Sequence, residues 1–294
     1  MGILKTYMSV VPELWKHRIS VMVVFTAVTS YLLAANMVDP VLIGAIAGGV
    51  FFVAGGSASL NHWQERHFDA LMERTRHRPI PAGRIRASFA LWLAIVSIVV
   101  GAFVLYAFAG WFPALLALSN VFWYNVVYTP LKRYSAFAII PGSVIGAIPA
   151  FIGWSAAEAP LNDIRVWILG LFLFFWQIPH FWILLLKYAD DYERAGYASI
   201  KRVFPLEDLR WITFPWIMIT TLCSLAFPIV GLISSPLVVW LIVFANLILI
   251  IMFVRYLFGK ETAVPRRLRQ VFLGINLYLL VNMLAVAFQR LVLL

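Results

Sequence analysis

Long runs free of formal charge alternate with short polar stretches along this chain, and that rhythm predicts its elements. No Asp, Glu, Lys or Arg occurs in residues 19–38, 41–60, 134–157, 166–186 or 270–289. Each run is about one membrane crossing long, because a helix needs ~20 apolar residues to traverse the hydrocarbon. Two further charge-free stretches, 87–131 and 211–254, are about twice that length. Each carries turn chemistry near its middle, "AGWFP" at 109–113 and "SSP" at 234–236, where Gly and Pro favour a break. Splitting both predicts nine transmembrane helices in an all-α, polytopic bundle forming a single domain over residues 1–294. Residues 6–16, "TYMSVVPELWK", precede the first span and predict a helix lying in the interface.

Composition agrees with the pattern and excludes a soluble class. The 294 residues are 63% hydrophobic and only 12% charged, with a mean hydropathy of +0.91, whereas soluble domains are about one quarter charged. The net charge of +10 has a topological cause. With nine spans and the N-terminus inside, one face receives 21 of the 23 Lys and Arg residues. The positive-inside rule makes that face cytoplasmic and puts the C-terminus on the opposite side. The charge therefore gives no argument for nucleic acid binding. The single cysteine, Cys223, excludes an internal disulfide. The first apolar run is span-length and lacks a small-residue cleavage site, so no cleavable signal peptide is expected. Small-residue clusters at 44–49 and 55–59, and the pair Gly142 and Gly146, suit close helix packing.

Two cytoplasmic connections are long, 61–86 and 187–210, and long ordered loops often carry function. They follow the second and sixth helices, a spacing that hints at a 4+4 duplication with one extra helix. The first opens "NHWQERHFDALMERTRHRP" (61–79), where Asn61, Glu65 and Asp69 recur every four residues. If the second helix continues through them, they drift only ~40° per step and share one face, with Asn61 and Asp69 ~12 Å apart along the axis. Such a row of oxygen ligands suits Mg²⁺ ions that also bind a phosphate-bearing substrate. Arg74, Arg76 and Arg78 follow, and guanidinium groups bind phosphate in a bidentate fashion. Against this stands the plainer reading of a solvated helix end with orientation-setting arginines.

The second connection adds Asp190, Asp191 and Glu193 on the same membrane face, as do Lys132 and Arg133 in "YTPLKRYS". Two carboxylate clusters and two basic groups facing one cytoplasmic cavity would suit a metal-bridged diphosphate, with the apolar interior receiving a hydrocarbon tail. His180 is the one histidine inside a span, where an ionisable side chain is a functional candidate or a hydrogen-bonded packing group. His17, His62, His67 and His77 read as interfacial or loop residues.

At these residues the chain resembles a known family. "NHWQERHFDALMERTRHRPIPAGR" (61–84) is similar to the first acidic motif of the UbiA-type intramembrane prenyltransferases. "YTPLKR" (128–133), "GAIPAFIGW" (146–154), "WQIPHFW" (176–182) and "DDYERAG" (190–196) resemble its heme-farnesylating branch, in order. The resemblance covers about residues 15–200. It implies a nine-helix bundle around a central cavity opening to the cytoplasm, in the inner membrane of a prokaryote. It implies farnesyl transfer from farnesyl diphosphate to a vinyl group of heme B, with water adding a hydroxyl, to give heme O. Asn61, Glu65 and Asp69 would form the first Mg²⁺–diphosphate cluster, and Asp191, with Asp190, the second. Arg74, Arg78, Lys132 and Arg133 would hold the diphosphate. Tyr128 and Tyr192 would join the substrate-binding set, and His180 would contact heme. A functional link to a heme A synthase or terminal oxidase assembly follows from the same resemblance. Two departures stand out: Glu65 replaces a common Asp, and the chain reads "YASIKRVFP" (197–205) where a "PMLP"-like stretch is expected.

The chemistry implied needs no covalent nucleophile. Departure of a diphosphate leaves an allylic cation, and preorganised cations at the leaving group supply the main electrostatic stabilisation. Aromatic faces such as Tyr124, Tyr128 and Trp176 can shield that cation. The rival readings are a prenyltransferase acting on another acceptor, such as an aromatic quinone precursor, and a heme or lipid transporter without chemistry.

Overall fold

In the computed structural model the chain is described over residues 2–198, 200, 203–258 and 264–293. Among the described residues it is helical throughout, with no strand. Helix α1 (Gly2–Leu14) precedes the first span, α2 (His17–Ala34). Helix α3 (Pro40–Asp69) is the longest continuous rod of the first half. Its start is fixed by Asp39, whose side chain accepts a hydrogen bond from Val41 N at 2.8 Å, and by Pro40 in the first turn. The rod does not stop at the end of its apolar run but continues through the polar residues to Asp69, as the four-residue spacing expects.

Helix α4 (Ala87–Ala109) ends where "AGWFP" predicts a break, at Gly110 with φ of 97°. The chain then continues as α5 (Trp111–Phe122), a π-helical turn (Trp123–Tyr128) and α6 (Thr129–Tyr134). The cause of the widened turn lies in the sequence. Pro130 has no amide hydrogen to give, so the regular i→i−4 ladder is interrupted. The Thr129 amide bonds instead to the Tyr124 carbonyl, five residues back, and the Thr129 hydroxyl donates to the same oxygen at 2.8 Å.

Helices α7 (Ile139–Gly142), α8 (Val144–Ala156) and α9 (Ile164–Lys187) follow. Asp163 caps α9 by accepting from Arg165 N at 2.9 Å. The short α10 (Ala189–Arg194) leads to α11 (Leu206–Ile229), α12 (Pro236–Leu257) and α13 (Val264–Leu293). Among the described residues, eight helical segments are long and apolar enough to cross a membrane, α7 and α8 counting together as one. The expected count of nine is reached only by including the composite rod Trp111–Tyr134, which the π turn divides.

Packing follows small residues. A Cβ at Gly101 would lie 2.5 Å from Gly49 O and 2.7 Å from Val53 N, so α4 can lie against α3 only with glycine there. The last third is joined differently: Ser224, Asn246 and Tyr278, from α11, α12 and α13, exchange buried hydrogen bonds of 2.7–3.1 Å. Large apolar side chains such as Trp92, Val99 and Phe103 on α4, and Trp240 and Phe244 on α12, face outward, as a lipid-facing surface requires. The bundle thus turns its polar residues inward, those of the first two thirds largely toward one chamber.

Candidate active site

The chamber lies between α2, α3, α8, α9 and the composite rod, and has a volume of about 560 Å³. Its floor is built at the basic end of the bundle. Asn61, Glu65 and Asp69 line it from the last turns of α3, each 4% exposed or less. Carboxylates so buried must be paired, and they are. Lys132 forms an ion pair with Glu65 Oε1 at 2.5 Å, and the Tyr197 hydroxyl donates to the same oxygen at 2.8 Å. Asn61 Nδ2 donates to Glu65 Oε2 at 3.0 Å. Both oxygens of Asp69 accept from Arg78 Nη1, at 2.9 and 2.8 Å. The segment 70–86 that carries Arg78 is a series of turns folded back over the end of α3, held in part by the Thr75 hydroxyl on Asp69 O at 3.0 Å.

Lys16, between α1 and α2, completes the floor. Its Nζ donates to Asn61 Oδ1 at 2.9 Å and to the Tyr124 hydroxyl at 3.2 Å. Burial, with Arg78 nearby, pulls this ammonium down to about 7. Burial and the Glu65 carboxylate push the Tyr197 hydroxyl well above its ordinary range, so it remains a donor. With Arg74 also in the wall, three full cations and the partly charged Lys16 stand against Glu65 and Asp69. Glu13, at the rim, is paired with Arg84 at 2.6 Å. The floor therefore carries a surplus of positive charge, which favours an anion.

Above the floor the wall changes character. Residues Val50, Val53, Ala54 and Ala58 of α3 continue the stripe that the polar row begins, so the lining reaches ~22 Å along the helix axis from Glu65, of which the apolar arm is the inner ~12 Å. Phe181, Ile145 and Val121 line the opposite sides. Tyr124 and Tyr128 stack with centroids 6.0 Å apart where the two zones meet.

Of the residues singled out from sequence, Asn61, Glu65, Asp69, Arg74, Arg78, Tyr128, Lys132 and Tyr192 all line this chamber. Asp190 and Asp191 do not. They line a separate cleft of about 350 Å³ on the same face, with Glu73, Arg74 and Arg194. The Asp191 carboxylate accepts from the backbone amides of Glu73 and Arg74, at 3.3 and 3.2 Å, and from Arg194 Nη2 at 2.5 Å. It thereby ties α10 to the segment after α3. Arg133 also points elsewhere: its guanidinium covers the Phe68 ring at 4.5 Å. His180 stacks on Trp176 at 4.7 Å and faces Phe272 at 5.0 Å, outside the chamber lining, with Nδ1 unpartnered.

Lys16, His62 and Tyr197 are among the lining residues that escaped the sequence reading. Lys16 looked like one orientation-setting lysine among several. His62 was read as a loop residue, yet it is 2% exposed and neither ring nitrogen has a partner. Tyr197 lies in the divergent "YASIKRVFP" stretch, of which Ser199, Lys201 and Arg202 fall outside the described residues.

Among the described residues no group of three or more His, Cys, Asp or Glu is arranged as a metal centre. The floor offers two carboxylates and one carboxamide, an all-oxygen set that fits a hard divalent cation completing its shell with substrate oxygens.

Fold and floor together define a polytopic α-helical membrane protein with a chamber at one end whose floor is rich in cations. A profile of the UbiA prenyltransferase family matches residues 23–285, and the chain belongs to that family. The protoheme IX farnesyltransferase of Geobacter sulfurreducens is 42% identical over 183 residues, covering 62% of this chain and 67% of its own length. The protein of that name from Opitutus terrae is 39% identical over 188 residues, covering 64% of this chain and 63% of its own length. The match to the Opitutus protein thus spans less than two thirds of it. The Bartonella bacilliformis protein of the same name is 36% identical over 220 residues, covering 74% and 70%. Among solved structures, a digeranylgeranylglyceryl phosphate synthase superposes with a TM-score of 0.78 at 17% identity, covering 99% of both chains. A UbiA homolog from Archaeoglobus fulgidus bound to GPP and Mg²⁺ does so with a TM-score of 0.65 at 15% identity, covering 96% and 99%. These two share the fold.

Proposed function

We propose that this protein transfers the farnesyl group of farnesyl diphosphate to a vinyl group of heme B, with addition of water, giving heme O and diphosphate. The observation that carries the reading is the chamber itself: a floor rich in cations and oxygen ligands opening into an apolar arm, the two together reaching ~22 Å along α3 from Glu65. A diphosphate with a long hydrocarbon tail has that polarity and that shape. The acceptor is argued from the relatives named protoheme IX farnesyltransferase.

Asn61, Glu65 and Asp69 would hold Mg²⁺, which when bound neutralises the diphosphate as it leaves. The chain's own cations do the rest. Lys132, Arg78 and Lys16 each end in a flexible side chain now engaged with α3. Each can turn its charge from Glu65, Asp69 or Asn61 to a phosphate oxygen without moving the backbone. That exchange keeps the buried charges paired before and after binding. The apolar arm excludes water from the donor carbon until the alkene reaches it. Tyr124 and Tyr128 present ring faces at the boundary, where cationic charge develops. The distribution of Lys and Arg supports a chamber mouth that faces the cytoplasm, and the bacterial relatives support the inner membrane of a prokaryote as its location.

The test is mass spectrometry of heme after purified protein is incubated with heme B, farnesyl diphosphate and Mg²⁺. Heme O is the expected product. Prenylation of an aromatic quinone precursor but not of heme would move the protein to another acceptor class. No transfer to either would remove the enzymatic reading.

A further inference from the structure

Gln177 lies in α9 and lines the chamber, but it belongs to neither the charged floor nor the hydrocarbon arm. Its Oε1 is buried and has no hydrogen-bond partner. His62, Arg74 and Asn120 also carry unpartnered buried atoms in this wall, but Gln177 is the one of these on α9, and an orphaned acceptor there calls for a missing partner. The fold also reserves room for it. A Cβ at Gly146 would collide with Oε1 and lie 2.8 Å from Cδ and 3.1 Å from Nε2, so glycine there leaves room for the carboxamide where it stands, and a larger residue would displace it.

The height of Gln177 in the chamber follows from its neighbours. Gly142, one turn before Gly146, packs on the Tyr128 ring in the same way. Tyr128 is in turn four residues from Lys132, the partner of Glu65. Gln177 therefore stands about two helical turns, ~11 Å, inward from the charged floor. With the diphosphate on the floor and the tail in the arm, the carbons that react lie between them, beside Gln177 and the aromatic faces of Tyr128 and Phe181.

The geometry points to Gln177 as the residue that holds the water captured in the reaction, an assignment that rests on the heme-farnesylating reading above. The vinyl group's electron pair forms the new bond to the farnesyl carbon, and the carbon–oxygen bond breaks with its pair leaving on the diphosphate. The cation left beside the heme ring accepts a lone pair from the water, forming the carbon–oxygen bond. The proton released goes to an oxygen of the departing diphosphate. A carboxamide offers both donor and acceptor to a water without competing as a nucleophile. Without a held water, the same cation loses a proton from the neighbouring carbon and gives a dehydrated, alkene product.

The experiment uses Gln177→Met, which keeps the volume and removes the amide, and Gly146→Ala, which crowds the carboxamide from the other side. Products from heme B, farnesyl diphosphate and Mg²⁺ are separated by mass, the alkene being lighter than heme O by one water. The expected result in both variants is a rise of about tenfold or more in the alkene-to-hydroxyl ratio, as expected when about 1.4 kcal/mol of water binding is lost. An unchanged ratio in either active variant overturns the assignment. So does loss of all turnover in both while farnesyl diphosphate still binds, since that pattern marks a different role. If the unsubstituted protein farnesylates no heme, the underlying reading fails instead, and the two failures are distinguishable.

Discussion

The Arg78–Asp69 pair allows the sharpest test of the floor. Asp69 is buried with a side-chain exposure of 1%, and its carboxylate oxygens accept from Arg78, itself 18% exposed. Arg78→Ala leaves that carboxylate buried and uncompensated. Breaking a buried pair costs about 3–5 kcal/mol, and the lower end applies because Arg78 faces the chamber mouth. At ~2–4 °C per kcal/mol, the melting temperature in detergent should fall by ~6–12 °C. The double variant Asp69→Asn/Arg78→Ala removes the stranded charge and should regain most of that loss, while remaining inactive. Arg78 would also donate a charged hydrogen bond to the diphosphate, worth about 1.5–3 kcal/mol. In steady-state assays of the single variant, kcat/KM for farnesyl diphosphate should therefore drop ~10–150-fold, while the KM for heme changes little. Two results would refute this reasoning: a double variant no more stable than the single one, or an equal loss for heme and for farnesyl diphosphate.

Three further outcomes follow from the same contacts. Glu65→Gln should abolish heme O formation yet leave a folded, membrane-inserted protein, and turnover near that of the parent would remove the ligand role. Chelation by EDTA should stop the reaction and added Mg²⁺ should restore it; activity persisting through thorough chelation would exclude the metal. Asp191→Ala frees the amides of Glu73 and Arg74, so limited proteolysis should cut the 70–86 segment faster, and an unchanged cleavage rate would show that the tie to α10 is dispensable.

The spans were legible in the sequence because charge is so costly in hydrocarbon that its absence marks the crossings directly. The row Asn61, Glu65, Asp69 was legible because a regular helix turns a four-residue spacing into a shared face, and α3 is regular there. The partners of that row were not. Lys16 meets Asn61 across 45 residues and Tyr197 meets Glu65 across 132, separations that no local spacing encodes. The orientation of Asp191 was equally hidden. It depends on how the turns after Asp69 fold back toward α10, and its neighbour Tyr192 ends up on the chamber side while the aspartate does not. His180 shows the same limit from another side: an ionisable group within a span can be packed between aromatic rings of its own and a distant helix.

The widened turn at Trp123–Tyr128 governs the register of everything beyond it. In an unbroken α-helix, Tyr124, Tyr128 and Lys132 would precess ~80° around the axis over eight residues. The surplus residue accommodated at Trp123–Tyr128 winds that precession back, and all three side chains project into one chamber. Winding the same residues as a regular α-helix, with no widened turn, would rotate Lys132 by ~100°, away from Glu65, and leave the chamber without one of its counterions.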